Sequence, residues 1–383
     1  MKPQVDILVV GAGAVGATAA LALRGAGYSV QVLDAGQPAP PAESADIDAR
    51  VFALSPASIA WLETLRLWDV LAPRTQDYGG MRVWDAVSGS DIAFDAAALG
   101  LPRLGAIVEN RAIVAAAQAA LGDVQFGRSL VALDESVDAV CLHCADGDTM
   151  TARYVLLADG ARSPGRAALG IQAPGRDYGG RAVVCHVQTA SGHDQTAWQR
   201  FLPEGPVALL PLWDGRVSVV WSSTHASADA LLAMDDQAFS EALTDATAGQ
   251  LGRLDTPTAR HAFPLLRQTA ERFTTGRCIL LGDAAHVVHP LAGQGVNLGF
   301  DDARALLEAM PDPTRGLKPL ARRRYERARR AEIARMSLGI DALDRLFSTA
   351  HPALAAARGL GLHAVDVLDP LKRQFAEAAL GIR

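Results

Sequence analysis

The feature that most constrains this chain is a glycine triplet, Gly11-x-Gly13-x-x-Gly16, set between an apolar run and Ala-rich helical sequence. Val5–Val10 reads as a buried strand, and the helical sequence runs to about Arg24, where Gly25 and Gly27 stop it. Ser29–Asp34 reads as a second strand, which completes a β-α-β unit of about 30 residues. The first glycine permits a tight turn out of the strand. The second lets a pyrophosphate approach the backbone, and the third lets helix and strand pack closely. The helix N-terminus offers N–H groups and about half a unit of positive charge to phosphates. Asp34 ends the second strand, where an acid accepts hydrogen bonds from an adenosine ribose. The set specifies dinucleotide binding but does not separate FAD from NAD(P).

The rest of the chain must house that unit. Of 383 residues, 50% are hydrophobic and 20% charged, which excludes a disordered chain. A net charge of −6 gives no general attraction to nucleic acid. Four cysteines are too few to staple a chain of this length, so a reduced, cytoplasmic setting is the expectation. Cys141 and Cys144 fall on an expected strand, where positions three apart point to opposite faces, which favours packing over zinc ligation. No run approaches the roughly 18 apolar residues of a membrane span.

Residues 36–45 read as a loop, 55–71 as a helix with Ile59, Leu62, Leu65 and Leu67 on one face, and 111–121 as a second Ala-rich helix. Residues 125–158 suggest a small meander. From about 177 to 265 the texture changes to alternating strands at 181–188, 198–201, 208–212 and 217–222. Cys278–Leu281 returns to a buried strand, 295–309 is helical, and from 318 onward the chain is mostly helix. The fold class is α/β: a Rossmann-type nucleotide-binding domain, an inserted and mainly antiparallel β-sheet domain, and a helical C-terminal tail.

Two further motifs bear chemistry. Asp159-Gly160-Ala-Arg-Ser163-Pro-Gly-Arg166 follows an expected strand, where a parallel sheet meets its ligand. Gly282-Asp283 ends another buried strand and leads through His286 and His289 to Pro290-Leu-Ala-Gly293-Gln-Gly295-Val296-Asn297-Leu-Gly-Phe-Asp-Asp302. Asp283 is placed to bind a sugar-alcohol hydroxyl, and the helix opening near Val296 directs N–H groups at whatever precedes it. The small residues at 292, 293 and 295 let a flat ring lie against the backbone.

These three motifs in series resemble the class A flavoprotein monooxygenases of the para-hydroxybenzoate hydroxylase type. The 289–302 stretch is similar to the signature of the ubiquinone-biosynthesis hydroxylases (the UbiH, UbiF and UbiI group). The resemblance implies FAD as cofactor, held by Gly11, Gly13, Val15, Gly16, Asp34, Arg50, Arg111, Asp159, Asp283, Pro290, Gly293, Gly295, Val296 and Asn297. It implies NAD(P)H as a co-substrate without its own Rossmann unit, in keeping with the lack of a second glycine triplet. It implies O2 activation through a C4a-hydroperoxyflavin and hydroxylation of an aromatic ring, with no metal.

The domains expected on this basis are a discontinuous FAD-binding domain (1–75, 106–176, 266–317), a substrate domain (76–105, 177–265) and a C-terminal region (318–383). Leu210, Pro211, Leu212 and Trp221 are candidates either for an apolar substrate pocket or for ordinary core. An apolar pocket suits a polyprenylated phenol of ubiquinone biosynthesis. A soluble aromatic acid would need a buried cation, and the 198–222 segment offers only Arg200 and Arg216. A non-catalytic FAD-binding scaffold in a quinone-synthesis complex is the alternative of another class. Residues 321–335 carry seven arginines against two glutamates, which suits either a helix resting on anionic lipid or a solvated helix packed on the core.

Overall fold

A computed structural model describes residues 2–41, 46–288 and 295–347. The candidate residues His289, Pro290 and Gly293, and the chain beyond 347, lie outside the described residues.

The first sheet has eight strands. Its central ones run in the order Cys278–Leu280, Thr149–Leu157, Val5–Val10, Val30–Asp34 and Gln125–Phe126, all parallel. Such strands are buried on both faces and read as continuous apolar runs, as Val5–Val10 does. Leu130–Glu135 and Val140–Cys144 pair antiparallel beside the long strand Thr149–Leu157, and form the expected meander. The helix Ala14–Gly25 packs its small residues on this sheet. It ends on Gly27 at φ +89, with Tyr28 N–H bonded to Leu23 O and Gly27 N–H to Arg24 O. This is the left-handed cap that glycine adopts without a Cβ penalty.

The second sheet has nine strands and is mainly antiparallel. Its order is His286–Val287, His261–Thr269, Gly175–Thr189, Val217–Thr224, Gly205–Pro211, Thr196–Leu202, Gly80–Asp85 and Asp91–Asp95, with Leu254–Asp255 beside Gly175–Thr189. Thr196–Leu202 and Gly80–Asp85 pair in parallel. One face is covered by the helices His225–Ala233 and Asp236–Ala246, whose Ala228, Leu231, Phe239 and Leu243 pack on Val183, Cys185, Val207, Val217 and Val219. The other face turns toward a three-stranded sheet of Val51–Leu54, Gly105–Glu109 and Gln76–Tyr78, through Leu210, Leu212, Tyr78, Leu104 and Ile107.

The single helix expected over 55–71 is interrupted. Pro56–Thr64 is helical, Arg66 turns left-handed at φ +58, and a short helix Trp68–Leu71 follows. Leu67 N–H bonds to Leu62 O and Arg66 N–H to Glu63 O, closing the first helix in a Schellman motif. Leu62 and Leu67 are both buried there. The pair that closes the cap therefore continues the apolar spacing across the break, which is why the spacing looks uninterrupted.

The long helix Pro319–Phe347 spans both large sheets. Glu326 accepts from Phe273 N–H (2.8 Å) and the Thr274 hydroxyl (2.7 Å) beside the first sheet. Asp341 takes Arg267 (2.5 Å) and the Tyr178 hydroxyl from the second sheet, where Phe347 stacks on Phe201. Tyr325, Arg329, Ile333 and Ile340 are buried along it, while Arg323, Arg324, Arg327 and Arg335 are exposed. The arginine-rich run is thus amphipathic, with one arginine on the inner face. No helix among the described residues is long and apolar enough to cross a membrane.

Candidate cofactor and substrate site

Parallel pairing brings the chemistry-bearing turns to one edge. Val10 is in register with Leu157 and Leu33, and Leu157 with Leu280. The Gly11 turn, Asp34, Asp159 and the Gly282–Ala284 turn therefore leave the sheet side by side at its carboxyl end, where open α/β sheets bind ligands.

The three glycines have distinct surroundings. Gly11 has φ +102, and a Cβ on it would lie 2.3 Å from Ala158 O. A Cβ on Gly16 would lie 2.0 Å from Gly11 O. Both allow segments of this chain to touch. A Cβ on Gly13 would meet nothing within 4 Å, and no side chain caps the helix that Gly13 opens. That leaves an open cradle at a positive helix end, which fits a pyrophosphate. The Asp34 carboxylate accepts Ala12 N–H (2.6 Å) and Gly36 N–H (2.7 Å), so it is locked to the glycine turn. A carboxylate has about four acceptor positions, which leaves room for hydroxyls.

Val15 packs within the chain. A Cβ on Gly299 would lie 2.4 Å from a Val15 methyl, and one on Gly282 would lie 3.2 Å from it. Val15 is the knob against which the Gly282 turn and the helix Gly295–Ala309 close. Asn297 likewise works within the chain. Its side-chain carbonyl accepts Ser55 N–H (3.0 Å) and its amide donates to Ala53 O (2.9 Å), which ties that helix to the strand Val51–Leu54. Val296 is buried in the same core, and Gly295 has open space around it.

Asp159 accepts the Ser163 hydroxyl (2.5 Å) and Gly165 N–H (2.8 Å), holding the turn into Pro164–Ala168. Arg166 then donates to Ala284 O (2.8 Å), which joins the Asp159 and Asp283 turns. Asp283 opens onto the cleft, yet burial among the surrounding protein raises its carboxyl pKa, against the pull of Arg50 and His286.

Arg50 and Arg111 meet in a network the sequence did not disclose. Asp48 accepts both backbone N–H groups, Arg50 at 3.1 Å and Arg111 at 2.9 Å. Glu109, 2% exposed, accepts Asp48 N–H (2.9 Å) and the Arg74 guanidinium (2.9 Å), with Arg111 at 3.6 Å. Among the described residues, Arg111 Nε is buried without a hydrogen-bond partner, an orphaned donor that fits a cofactor oxygen. His186 of the second sheet bonds Asp48 O through Nε2 (3.0 Å), and burial lowers its pKa. An acid closing a buried strand two residues before Arg111 was the available signal for Glu109.

A second buried acid, Asp302, lies under the Gly282 turn. It accepts Gly282 N–H (2.9 Å), His286 Nε2 (2.7 Å) and Arg329 Nε (2.6 Å). Burial alone would raise its pKa, but the attraction and hydrogen bonds of His286 and Arg329 win and hold it below the usual carboxylate range.

The four pocket candidates divide by strand parity. Leu210 and Leu212 pack toward the three-stranded sheet, with Ile47, Tyr78, Leu104 and Ile107. Trp221 packs instead against Phe239 on the helix-covered face, with ring centroids 6.3 Å apart. Pro211 is in register with Val217 and alternates with Leu210, so it shares that far face. Trp221 and Pro211 are therefore removed from the expected pocket.

The glycine surroundings separate two roles experimentally. Gly13→Ala is expected to leave the melting temperature of the FAD-free protein within about 2 °C, a stability change below ~0.5 kcal/mol, and to weaken FAD binding at least tenfold by fluorescence titration. Gly16→Ala should lower the melting temperature itself. Equal behaviour of the two variants would contradict the open cradle at Gly13.

Comparison with known proteins agrees with this geometry. The family described as FAD binding domain matches residues 4–337. The chain is 35% identical to 3-demethoxyubiquinol 3-hydroxylase of Escherichia coli (strain K12), covering 98% of each chain. It is 37% identical to ubiquinone hydroxylase UbiL of Rhodospirillum rubrum, over 98% of this chain and 89% of that one. It is 33% identical to the Homo sapiens mitochondrial ubiquinone biosynthesis monooxygenase COQ6, over 97% and 91%. Among solved structures, Pseudomonas putida p-nitrophenol 4-monooxygenase PnpA matches with TM-score 0.81 at 21% identity over 100% of both chains. Klebsiella pneumoniae HpxO, complexed with FAD and uric acid, matches with TM-score 0.79 at 22% identity over 99% of this chain and 98% of that one. With an FAD-binding family spanning most of its length and full-length relatives above 30% identity, this chain belongs to the FAD-dependent aromatic monooxygenases, in the family of ubiquinone-biosynthesis hydroxylases.

Proposed function

We propose that this protein hydroxylates the ring of a polyprenylated phenol in ubiquinone biosynthesis, using FAD, NAD(P)H and O2. The observation that carries the substrate class is the disposition of charge around the second sheet. Leu210 and Leu212 belong to an apolar cluster between the second sheet and the three-stranded sheet, which we take as a wall of the substrate site. The two arginines of the 198–222 segment are engaged within the chain: Arg200 donates to Asp245 O (3.1 Å) and Ala246 O (3.0 Å), and Arg216 to Asp214 (2.7 Å). With both arginines turned to partners within the chain, the 198–222 segment offers little to replace a carboxylate's lost hydration, whereas burying a prenyl chain is favourable. This favours the prenylphenol over a soluble aromatic acid.

FAD, when bound, supplies the redox chemistry that activates oxygen. The proposed contacts are Gly13 and Asp34 for the ADP half, Arg50, Arg111 and Asp283 for the remainder, and the helix opening at Gly295–Val296 for the ring. Gly11, Gly16, Val15, Asp159 and Asn297 hold the shape around them. The apolar walls exclude water from the reacting centre. The domain division is proposed along the two large sheets, as the sequence suggested.

Purified protein given a prenylated phenol, NAD(P)H and oxygen should yield a product one oxygen heavier by mass spectrometry. The matching aromatic acid without a prenyl chain should give little product. The reverse preference would reject the proposed substrate class, and FAD binding with no product from either would favour a scaffold.

The exposed Arg323, Arg324, Arg327 and Arg335, with Leu338 beyond them, supply a basic and apolar surface suited to anionic lipid and hence to a lipid-borne substrate. On this reading the protein floats with anionic vesicles, not with neutral ones, and Arg323→Glu with Arg327→Glu abolishes flotation. Flotation unaffected by either change would remove the membrane role.

A further inference from the structure

Arg329 sits where packing alone would place an apolar residue. Its side chain is 4% exposed, on the inner face of Pro319–Phe347 between Tyr325 and Ile333. Desolvating a guanidinium is costly, and a buried ion pair is often no more stabilising than a well-packed apolar replacement. Tyr325, Ile333, Ile340 and Phe347 already anchor this helix.

What Arg329 does touch is specific. Its Nε donates to Asp302 at 2.6 Å, and its second terminal nitrogen donates to Leu298 O at 3.0 Å, in the first turn of Gly295–Ala309. Glu332 of its own helix holds the other terminal nitrogen at 2.5 Å. The second oxygen of Asp302 takes Gly282 N–H and His286 Nε2. Gly282 is at φ +56 and immediately precedes Asp283. One guanidinium thus holds the backbone next to Asp283, through one carboxylate, and the first turn of Gly295–Ala309 directly.

We propose that Arg329 is a positioning residue for the flavin-binding turn, acting through Asp302, so that the C-terminal helix sets the affinity for FAD. The proposal rests on the reading that Asp283 and this helix end meet FAD. Removing the arginine takes from Asp302 a counter-charge and the hydrogen bond on its Oδ1, and so loosens the carboxylate that holds Gly282 N–H. Outer-shell partners of metal ligands change metal affinity by about 10–100-fold when removed, and the same scale is expected for a carboxylate that orients a cofactor-binding turn.

The test uses the full chain, with FAD affinity from fluorescence titration of the FAD-free protein and melting temperatures with and without FAD. Arg329→Met is expected to weaken FAD binding about 10–100-fold and to shrink the rise in melting temperature that FAD produces. Arg329→Lys, which keeps the charge but not the fork to Leu298 O, recovers part of the affinity. The double variant Arg329→Met with Asp302→Leu removes both charges, so it folds even where the single variant does not. It should still bind FAD weakly, because Gly282 N–H and His286 have lost their acceptor. Native FAD affinity in Arg329→Met or in the double variant overturns the proposal. Asp283→Ala is the control: if Arg329→Met binds normally while Asp283→Ala does not, only the positioning role fails. If both bind normally, the placement of FAD at this turn fails as well.

Discussion

Everything in this molecule depends on parallel strands that end in register. Val10, Leu33, Leu157 and Leu280 lie abreast, and each is followed by a turn with a different chemical endowment: glycines, an acid, an Asp-Gly pair and a Gly-Asp pair. Segments spanning some 270 residues of chain are thereby delivered to one line without any of them touching a ligand. Close approach then seals the line. Gly16 lies on Gly11 and Val15 on Gly299 at distances that leave no space for a Cβ, and Val15 lies in tight contact with Gly282. The helices Ala14–Gly25 and Gly295–Ala309 are drawn together behind the cleft as a result.

Charge is handled differently in front of that line and behind it. In front, Asp283 is reachable and poorly solvated, Arg111 keeps an orphaned donor, and Gly13 has empty space beside it. Behind, Asp302 and Glu109 are almost wholly buried, and each is saturated by cations and backbone N–H groups. Breaking such a pair by removing one partner typically costs about 3–5 kcal/mol, so these acids hold the backbone rigid while the groups in front stay available. FAD-binding character follows from that division as much as from any single contact.

The nucleotide half was largely legible because its signals are local. A glycine triplet between a strand and a helix, and an acid ending the next strand, carry their meaning within about 30 residues. The second sheet was legible as a change of texture, but not in its facing. Leu210 and Trp221 look equally apolar in sequence, and only the pairing of Val207 and Val183 with Trp221 sends the tryptophan to the helix-covered side. The break at Arg66 was hidden because Leu62 and Leu67 preserve apolar spacing through the cap. Arg329 was hidden among seven arginines, since composition does not distinguish the one turned inward from those in solvent. Its partner Asp302 lies 27 residues away, and His286, which shares that carboxylate, lies 43 residues away, beyond any spacing rule.

The most direct test of the central claim is a crystal structure of the protein with FAD. The pyrophosphate is expected against Gly13, the adenosine ribose at Asp34, and the isoalloxazine ring across the helix end at Gly295–Val296, with Asp283 on the ribityl chain. FAD bound away from the carboxyl edge of the parallel sheet, or with its pyrophosphate remote from Gly13, would contradict it.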